Sequence, residues 1–386
     1  MSVPKQPIVG IDIRLIGKQR TGDEVVFFNL TRALLKEGRG EFVFRLFTHE
    51  QDTSRLHELR SQLECVGRDD VEFVTLRFGS QRFFWNSIAL PWELYRRPVH
   101  IYHTQYIAPL FIPRQVKLVT HIHDVSFAAH PEWIAPKDRL FLSLLIPRSL
   151  RRANQIVAPS LFTKQEIERY YPESVGKIVV IPNAAAKEWL RRPAKEDIEM
   201  VRRKFGLPER YLIAAGTMQP RKNIPLLIEA WAARPPALRE VGLVLTGNRF
   251  GHHVDKRLPQ GEKSQGIIFP GYVDVPTLQA LVAGAELMVF PSLYEGFGIP
   301  LLESFAVGTP VLAANIPPFE EIAQGENCQL FDQTSLAEMQ KNLYTLLVER
   351  KMGSRPIQSG NGTLQRYSWE RSAVLLLSSY RQLLSL

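Results

Sequence analysis

Residues 290–315 (F-P-S-L-Y-E-G-F-G-I-P-L-L-E-S-F-A-V-G-T-P-V-L-A-A-N) constrain this chain more than any other stretch, because they read as strand, glycine-rich turn, short helix and strand. The apolar run 287–290, closed by Pro291 and Ser292, fits a buried parallel strand. Gly296 and Gly298 allow positive φ and let a ligand approach the backbone closely. Pro300 suits the first helical position, where its missing N–H costs nothing. The free N–H groups and the positive dipole end of that helix attract an anion. Glu295 and Glu303 stand on either side, and ionised carboxylates accept hydrogen bonds from hydroxyls. Alone, E-G-F-G also fits a plain strand–helix joint with one capping and one surface glutamate. The whole stretch favours a ligand that carries both phosphate and hydroxyls, such as a sugar nucleotide.

The rest of the chain repeats this strand–helix alternation. Strands are predicted over 9–16, 42–48, 71–76, 99–103, 116–124, 155–159 and 177–182, with helices over 24–36, 137–152 and 164–170. After a charged stretch at 187–195, a second series follows: strands 211–217, 242–247, 266–271, 286–292 and 310–315, with helices 223–232, 274–283 and 300–307. The segment 352–362 is a loop by composition, and 369–386 an amphipathic helix. Alternating βα units imply a mostly parallel sheet covered on both faces. The expected class is α/β, with two Rossmann-like domains, residues 1–190 and 191–367, facing a cleft. Ligands of such sheets bind at the carboxyl ends of the strands.

A chain of 386 residues exceeds one ordinary core, which supports two domains. No apolar run is long enough to span a membrane, and the start lacks an apolar signal region. Cys65 and Cys328 lie far apart, so a reducing cytoplasm is the expected compartment. The net charge is +9, and residues 1–190 hold 26 Lys+Arg against 20 Asp+Glu while the remainder holds 22 against 19. That excess fits a solvated surface, peripheral association with an anionic membrane, or a lipid-phosphate acceptor. No nucleic-acid motif accompanies it, and no nucleic-acid partner is expected.

Four further segments carry chemistry. The turn 216–223 (G-T-M-Q-P-R-K-N) follows a strand and opens a helix, placing Arg221 and Lys222 where fixed cations bind a diphosphate, with Asn223 as the helix cap. His121, His123 and Asp124 end a strand; His123 suits a sugar hydroxyl, and Asp124 fixing its tautomer is one reading, a metal site another. The loop 17–22 brings Gly22 toward a diphosphate or acceptor, but it is not G-x-G-x-x-G, so a nicotinamide cofactor is poorly supported. The absence of a D-x-D triplet speaks against a carboxylate-held divalent metal, and no metal cofactor is expected. The segment 82–92 is aromatic and apolar, with Arg96 and Arg97 close behind; it fits a core helix broken at Pro91, or a membrane interface.

With these motifs on the page, the chain resembles the retaining glycosyltransferases of GT-B fold, family 4 (group 1). Y-E-G-F-G-I-P-L-L-E resembles their E-x7-E motif, P-R-K-N their phosphate turn, and H-I-H-D-V-S-F with H-P-E-W at 130–133 the acceptor-domain signature of a bacterial mannosyltransferase-like branch. Y-S-W-E at 367–370 also fits that branch, which implies that helix 368–386 crosses back to the first domain. The resemblance implies an N-terminal acceptor domain and a C-terminal donor domain. It makes His123, Lys222 and Glu295 catalytic. Thr217, Arg221, Lys222, Gly271, Tyr272, Val273, Glu295, Gly296, Phe297, Gly298 and Glu303 would bind the donor, with Glu303 on the ribose hydroxyls and the base near Gly271–Val273. Gly22 and Asp124 would serve the acceptor and phosphate loop. The implied reaction moves a hexose, mannose from GDP-mannose as first choice, to a glycan or lipid-linked acceptor in cell-surface polysaccharide synthesis. The chain departs from the pattern at Thr217, where many members carry Arg, and at Asn183-Ala184, where Asn-Gly is common. A sugar-nucleotide epimerase of the same fold and a non-catalytic nucleotide-sugar binder are the alternatives.

Overall fold

The computed structural model describes residues 6–17, 22–76, 84–247, 255, 257–258, 266–323, 328–349 and 361–385. Residues 18–21 of the first loop, 82–83 of the aromatic segment and 352–360 of the late loop lie outside the described residues. The chain divides into two compact units. One comprises Met1–Ala128, Lys137–Asn183 and Tyr367–Leu386; the other comprises Ala129–Pro136 and Ala184–Arg366.

The first unit is built on seven parallel strands: β1 (Ile8–Asp12), β2 (Val43–Thr48), β3 (Val71–Thr75), β4 (Ile101–Gln105), β5 (Lys117–His121), β6 (Gln155–Ala158) and β7 (Ile178–Val180). They lie in the order β3-β2-β1-β4-β5-β6-β7. Five of them, β1, β2, β4, β5 and β6, are buried at nearly every position, as strands covered on both faces are. The order reverses between β1 and β4, so the two halves of the sheet wind in opposite senses from that line.

The C-terminal helix Trp369–Leu384 belongs to this unit and packs on the first helix, Gly22–Glu37. Its apolar face buries Ala373, Leu376, Leu377 and Tyr380. Truncating one such buried leucine typically costs about 2–5 kcal/mol, so Leu376 alone contributes strongly to docking. Arg381 adds a two-pronged pair to Glu41 at 2.6 and 2.7 Å, and the Ser372 hydroxyl donates to the Pro182 carbonyl at 2.5 Å. Tyr380 reaches the sheet itself: its hydroxyl lies 2.6 Å from His103 Nδ1 on β4.

The second unit holds six parallel strands: β8 (Tyr211–Ala215), β9 (Gly242–Thr246), β10 (Ile267–Gly271), β11 (Leu287–Phe290), β12 (Val311–Ala314) and β13 (Cys328–Phe331). Their order is β10-β9-β8-β11-β12-β13, again doubly wound, with the reversal between β8 and β11. The charged stretch 187–195 is part of this unit. Lys187–Leu190 forms a short helical turn with Trp189 buried, and the Gln279 amide donates to the carbonyls of Glu188 and Arg191, both at 2.7 Å.

At the carboxyl ends of β8 and β9 the backbones nearly touch. Gly247 takes φ +131°, and a Cβ there would collide with the Gly216 carbonyl. Gly216 itself takes φ +127°. Gly247→Ala should therefore combine backbone strain of roughly 1–3 kcal/mol with a steric clash that only a shift of main chain relieves. Thermal unfolding should show a larger drop in Tm for Gly247→Ala than for Gly40→Ala, where φ is +81° but the space is open; equal drops would refute the close approach.

Candidate active site

In the second unit the topology brings two turns together. The turn after β8 carries Arg221 and Lys222, and the turn after β11 carries Glu295; the two strands are neighbours at the reversal. The Leu293 amide donates to the Arg221 carbonyl at 2.7 Å and fastens one turn to the other. Glu295 then lies between the two cations: Arg221 Nη1 donates to Oε2 at 2.5 Å, and Lys222 Nζ to Oε1 at 2.6 Å. The Ser292 hydroxyl donates to Oε1 at 2.9 Å. Gly216 is required by its backbone, at φ +127°, and a Cβ there would make only ordinary contact with the Lys222 side chain at 3.7 Å. Burial would raise the Glu295 carboxyl, but the charges of Arg221 and Lys222 outweigh it and bring it down to about 2. The result is a half-sunken centre with two cations and one carboxylate.

Gly298, not a side chain, is the N-cap of helix Ile299–Val307, at φ +136°. A Cβ at Gly298 would meet Phe319 at 2.9 Å, so glycine is required both for the turn and for the packing. Pro300 falls within the first two helical positions. Gly296 and Phe297 are buried beside Glu295. Glu303 lies on the same helix in a very different state. Among the described residues no donor reaches its carboxylate, and burial pushes it up to about 8, although part of the residue still meets solvent. The two glutamates of one motif are thus driven in opposite directions, the Glu295 carboxyl lowered by its two cations and the Glu303 carboxyl raised by burial.

Asn223 takes the left-handed conformation at φ 52° but caps nothing with its side chain. It stands at the expected N-cap position of helix Ile224–Ala232, but its side-chain amide donates to the Gln333 carbonyl at 3.1 Å and not to the helix end. Thr217 is exposed on the same turn. Gly271 ends β10 at φ +75°, with its carbonyl accepting from Thr246 Oγ1 and the Gly247 amide. Tyr272 beyond it is 69% exposed, and Val273 half-buried. The H-P-E-W element is folded into this unit: the His130 ring lies 3.9 Å from Trp133, near parallel, and meets Tyr294 edge-on at 5.6 Å.

In the first unit His123 follows β5 and is 7% exposed. Its Nε2 lies 2.8 Å from Gln105 Oε1 at the end of the adjacent β4. With that oxygen facing the ring, Nε2 carries the proton and Nδ1 remains as an acceptor; among the described residues Nδ1 has no hydrogen-bond partner. Asp124 does not set the tautomer. It accepts from the Ser126 amide and hydroxyl at 2.9 and 2.7 Å, as a local turn cap. His121 stacks on His123 at 4.5 Å, and His103 lies parallel to His121 at 5.8 Å. Burial lowers His103 to about 3 and pushes His121 well below the ordinary range. No group of three His, Cys, Asp or Glu side chains among the described residues is arranged to hold a metal ion. Gly22 starts the first helix and is exposed; nearby, Glu24 Oε1 accepts from the Gly17 amide at 2.8 Å.

Sequence reasoning missed Gln105, Tyr106 and Gly247. Tyr106 takes φ 51°, a strained value for a tyrosine, immediately after the residue that holds His123. The sign for Glu303 can be tested. Its folded-state pKa lies near 8 against an ordinary value of 4.5. Its stabilising contribution is therefore complete below pH 4.5 and is lost as pH rises through 8, because the unfolded chain releases the proton first. Thermal unfolding from acid to mildly alkaline pH should show Tm falling more steeply in the natural protein than in Glu303→Gln. Parallel curves would contradict the assignment.

A family model described as glycosyl transferases group 1 matches residues 197–362, and one described as glycosyltransferase family 4 matches residues 20–188. Among curated proteins, the chain is 28% identical over 298 residues to O-antigen chain mannosyltransferase B of Escherichia coli, covering 76% of this chain and 77% of that protein. It is 26% identical over 239 residues to the serotype-specific mannosyltransferase WbdA of Escherichia coli, covering 60% of this chain but only 29% of that longer protein. Among solved structures, the sucrose-phosphate synthase from Thermosynechococcus elongatus superposes with a TM-score of 0.71 at 18% identity, over 99% of this chain and 100% of the other. Anabaena HepE, solved with UDP and glucose, does so with a TM-score of 0.67 at 19% identity, over 98% and 100% of the two chains. At such identities these structures speak for the fold alone, and that fold is GT-B. The two family models follow one another along most of the chain, which thus belongs to the group 1, family 4 glycosyltransferases and is a hexosyltransferase.

Proposed function

We propose that this glycosyltransferase moves mannose from GDP-mannose, with retention of anomeric configuration, to a glycan or lipid-linked acceptor in cell-surface polysaccharide synthesis. The work would be done in the cytoplasm, at the inner face of an anionic membrane. The observation that carries the reading is the Arg221–Glu295–Lys222 centre at the reversal point of the second sheet. The choice of mannose follows the names of relatives, two of which are O-antigen mannosyltransferases of Escherichia coli and Salmonella typhimurium. The reading of a sugar-nucleotide donor follows HepE, which was also solved with UDP-glucose.

The chemistry follows from the charges. A nucleotide diphosphate sugar brings two negative phosphates to Arg221 and Lys222, which then release Glu295. The freed carboxylate accepts hydrogen bonds from the sugar hydroxyls, and the Gly296–Gly298 backbone lies alongside. Thr217 borders the phosphates. Glu303 accepts from the ribose hydroxyls, while Tyr272 and Val273 flank the base beyond Gly271. His123, held by Gln105, offers Nδ1 to a sugar hydroxyl, and Gly22 and Asp124 belong to the acceptor side. As the bond from the anomeric carbon to the diphosphate breaks, negative charge grows on the leaving oxygen, and the two cations stabilise it where it forms. The same oxygen takes the proton of the attacking acceptor hydroxyl, so no enzyme nucleophile is required. The reading also requires no metal ion.

Product analysis tests it. Labelled mannose should pass from GDP-mannose to a lipid-linked glycan acceptor with an α linkage retained, and chelation of divalent metal should leave the rate unchanged. Lys222→Ala should lower turnover by roughly 10²–10³, the scale for losing one key charge donor. Near-normal turnover in that variant, or a nucleotide sugar altered with no acceptor present, would overturn the proposal.

A further inference from the structure

Two surface helices of the first unit are apolar on the wrong side as well as the right one. The π-helical segment Trp85–Ala89 runs directly into helix Leu90–Arg96. Its inner face buries Trp85, Leu90 and Leu94 completely. Its outer face should then be polar, yet it carries Ile88, Trp92 and Tyr95, with Trp92 72% exposed. Helix Pro136–Arg152 behaves alike: Ile146 and Leu150 are buried, while Leu140 and Leu144 stand in solvent, the latter 64% exposed.

The loop 108–114 joins these helices into one face and adds exposed Phe111. Its Leu110 amide donates to the Asn86 carbonyl at 2.8 Å, and the Leu110 carbonyl accepts from the Arg148 guanidinium. The Ala108 amide donates to Ser149 Oγ at 2.9 Å. Between them lies a groove of about 550 Å³ lined by Tyr95, Phe111, Arg114, Arg148 and Arg152.

The charge on this face is predominantly positive, with Asp138 as its exposed acid. Segments 84–96, 108–114 and 136–152 together hold seven Lys or Arg residues and two acids, Glu93 and Asp138. Glu93 is buried and bonded to Arg97 at 2.5 Å, so it does not offset the outer cations. Arg96, Arg114 and Arg151 are exposed beside the apolar side chains. A second copy of the chain docking by the same face would set cation against cation. An anionic bilayer satisfies both parts: Trp, Tyr, Phe and Leu enter the boundary between headgroups and acyl chains, and Arg meets the lipid phosphates. No described helix is long and apolar enough to cross a membrane, which leaves contact in the interface plane.

We infer that this face, formed by Trp85–Arg96, the loop 108–114 and Pro136–Arg152, docks the protein on an anionic lipid bilayer. The inference names the surface for the membrane-side acceptor reading above, and it is independent of which donor sugar is used. Co-sedimentation tests it, with vesicles of phosphatidylcholine alone and of phosphatidylcholine mixed with phosphatidylglycerol, in parallel with nucleoside diphosphate binding in solution. The full chain should bind the anionic vesicles at least about ten-fold better than the neutral ones, and salt should weaken that binding. Trp92→Ser with Leu144→Ser, and separately Arg96→Glu with Arg151→Glu, should each abolish it while leaving Tm and nucleotide binding unchanged, since all four positions are exposed. Equal affinity for both vesicle types, no binding to either, or binding that survives both double variants would overturn the inference. So would dimerisation that Trp92→Ser with Leu144→Ser removes, because it would assign the face to a second copy. Vesicle binding without sugar transfer would count against the proposed reaction and not against this surface.

Discussion

A buried carboxylate held between two cations governs the second unit. Glu295 cannot be left charged and alone at that depth, and Arg221 and Lys222 cannot lie side by side without an anion. Each of the three is kept in place by the other two, and the result fixes the relative position of the turns after β8 and β11. Removing one partner of such a cluster typically costs about 3–5 kcal/mol, because the others are left unbalanced. The same imbalance makes the centre responsive. It carries two positive charges against one negative, so an arriving anion is favoured, and it frees a carboxylate already aimed at the same place. The glycines serve this centre: Gly216 turns the backbone at φ +127°, Gly247 lets the neighbouring strand close in, and Gly298 brings the helix end up to the turn.

The first unit uses burial in another way. His103, His121 and His123 lie one after another through its interior, from the Tyr380 hydroxyl of the C-terminal helix to Gln105 at the end of β4. Both ring nitrogens of His121 lack hydrogen-bond partners among the described residues, an arrangement that costs stability in a core. Burial keeps His103 and His121 uncharged, so His123 rests against neutral rings and its orientation is set by Gln105. The strained backbone at Tyr106 belongs to the same corner. A helix that begins near residue 369 thus supports a histidine near residue 123 through side chains on two strands.

Much of this was legible in the sequence because it is local. A strand buried on both faces is an apolar run, so β8, β11 and β12 stand out with their edges nearly in place. The phosphate-type turn and the paired glutamates each lie within one βα connection, and their residue types state their chemistry. What was hidden depends on strand order. Gln105 and His123 are 18 positions apart and meet because β4 and β5 are neighbours. Asp124, adjacent in sequence, turns to Ser126 instead. Nothing in the string shows that Glu295 would take both cations as partners, or that Glu303 on the next helix would find none among the described residues. Nor does it show that His130, stacked on Trp133, meets Tyr294, some 160 positions later.

The central claim is that Arg221, Lys222 and Glu295 form a diphosphate-recognising centre. Calorimetric titration of GDP and GMP into the natural protein and into Lys222→Gln tests it most directly. GDP should bind at least about ten-fold more tightly than GMP in the natural protein, since the second phosphate gains charge-assisted hydrogen bonds, and that preference should largely vanish in the variant. Equal binding of GDP and GMP, or an unchanged preference in Lys222→Gln, would contradict the account.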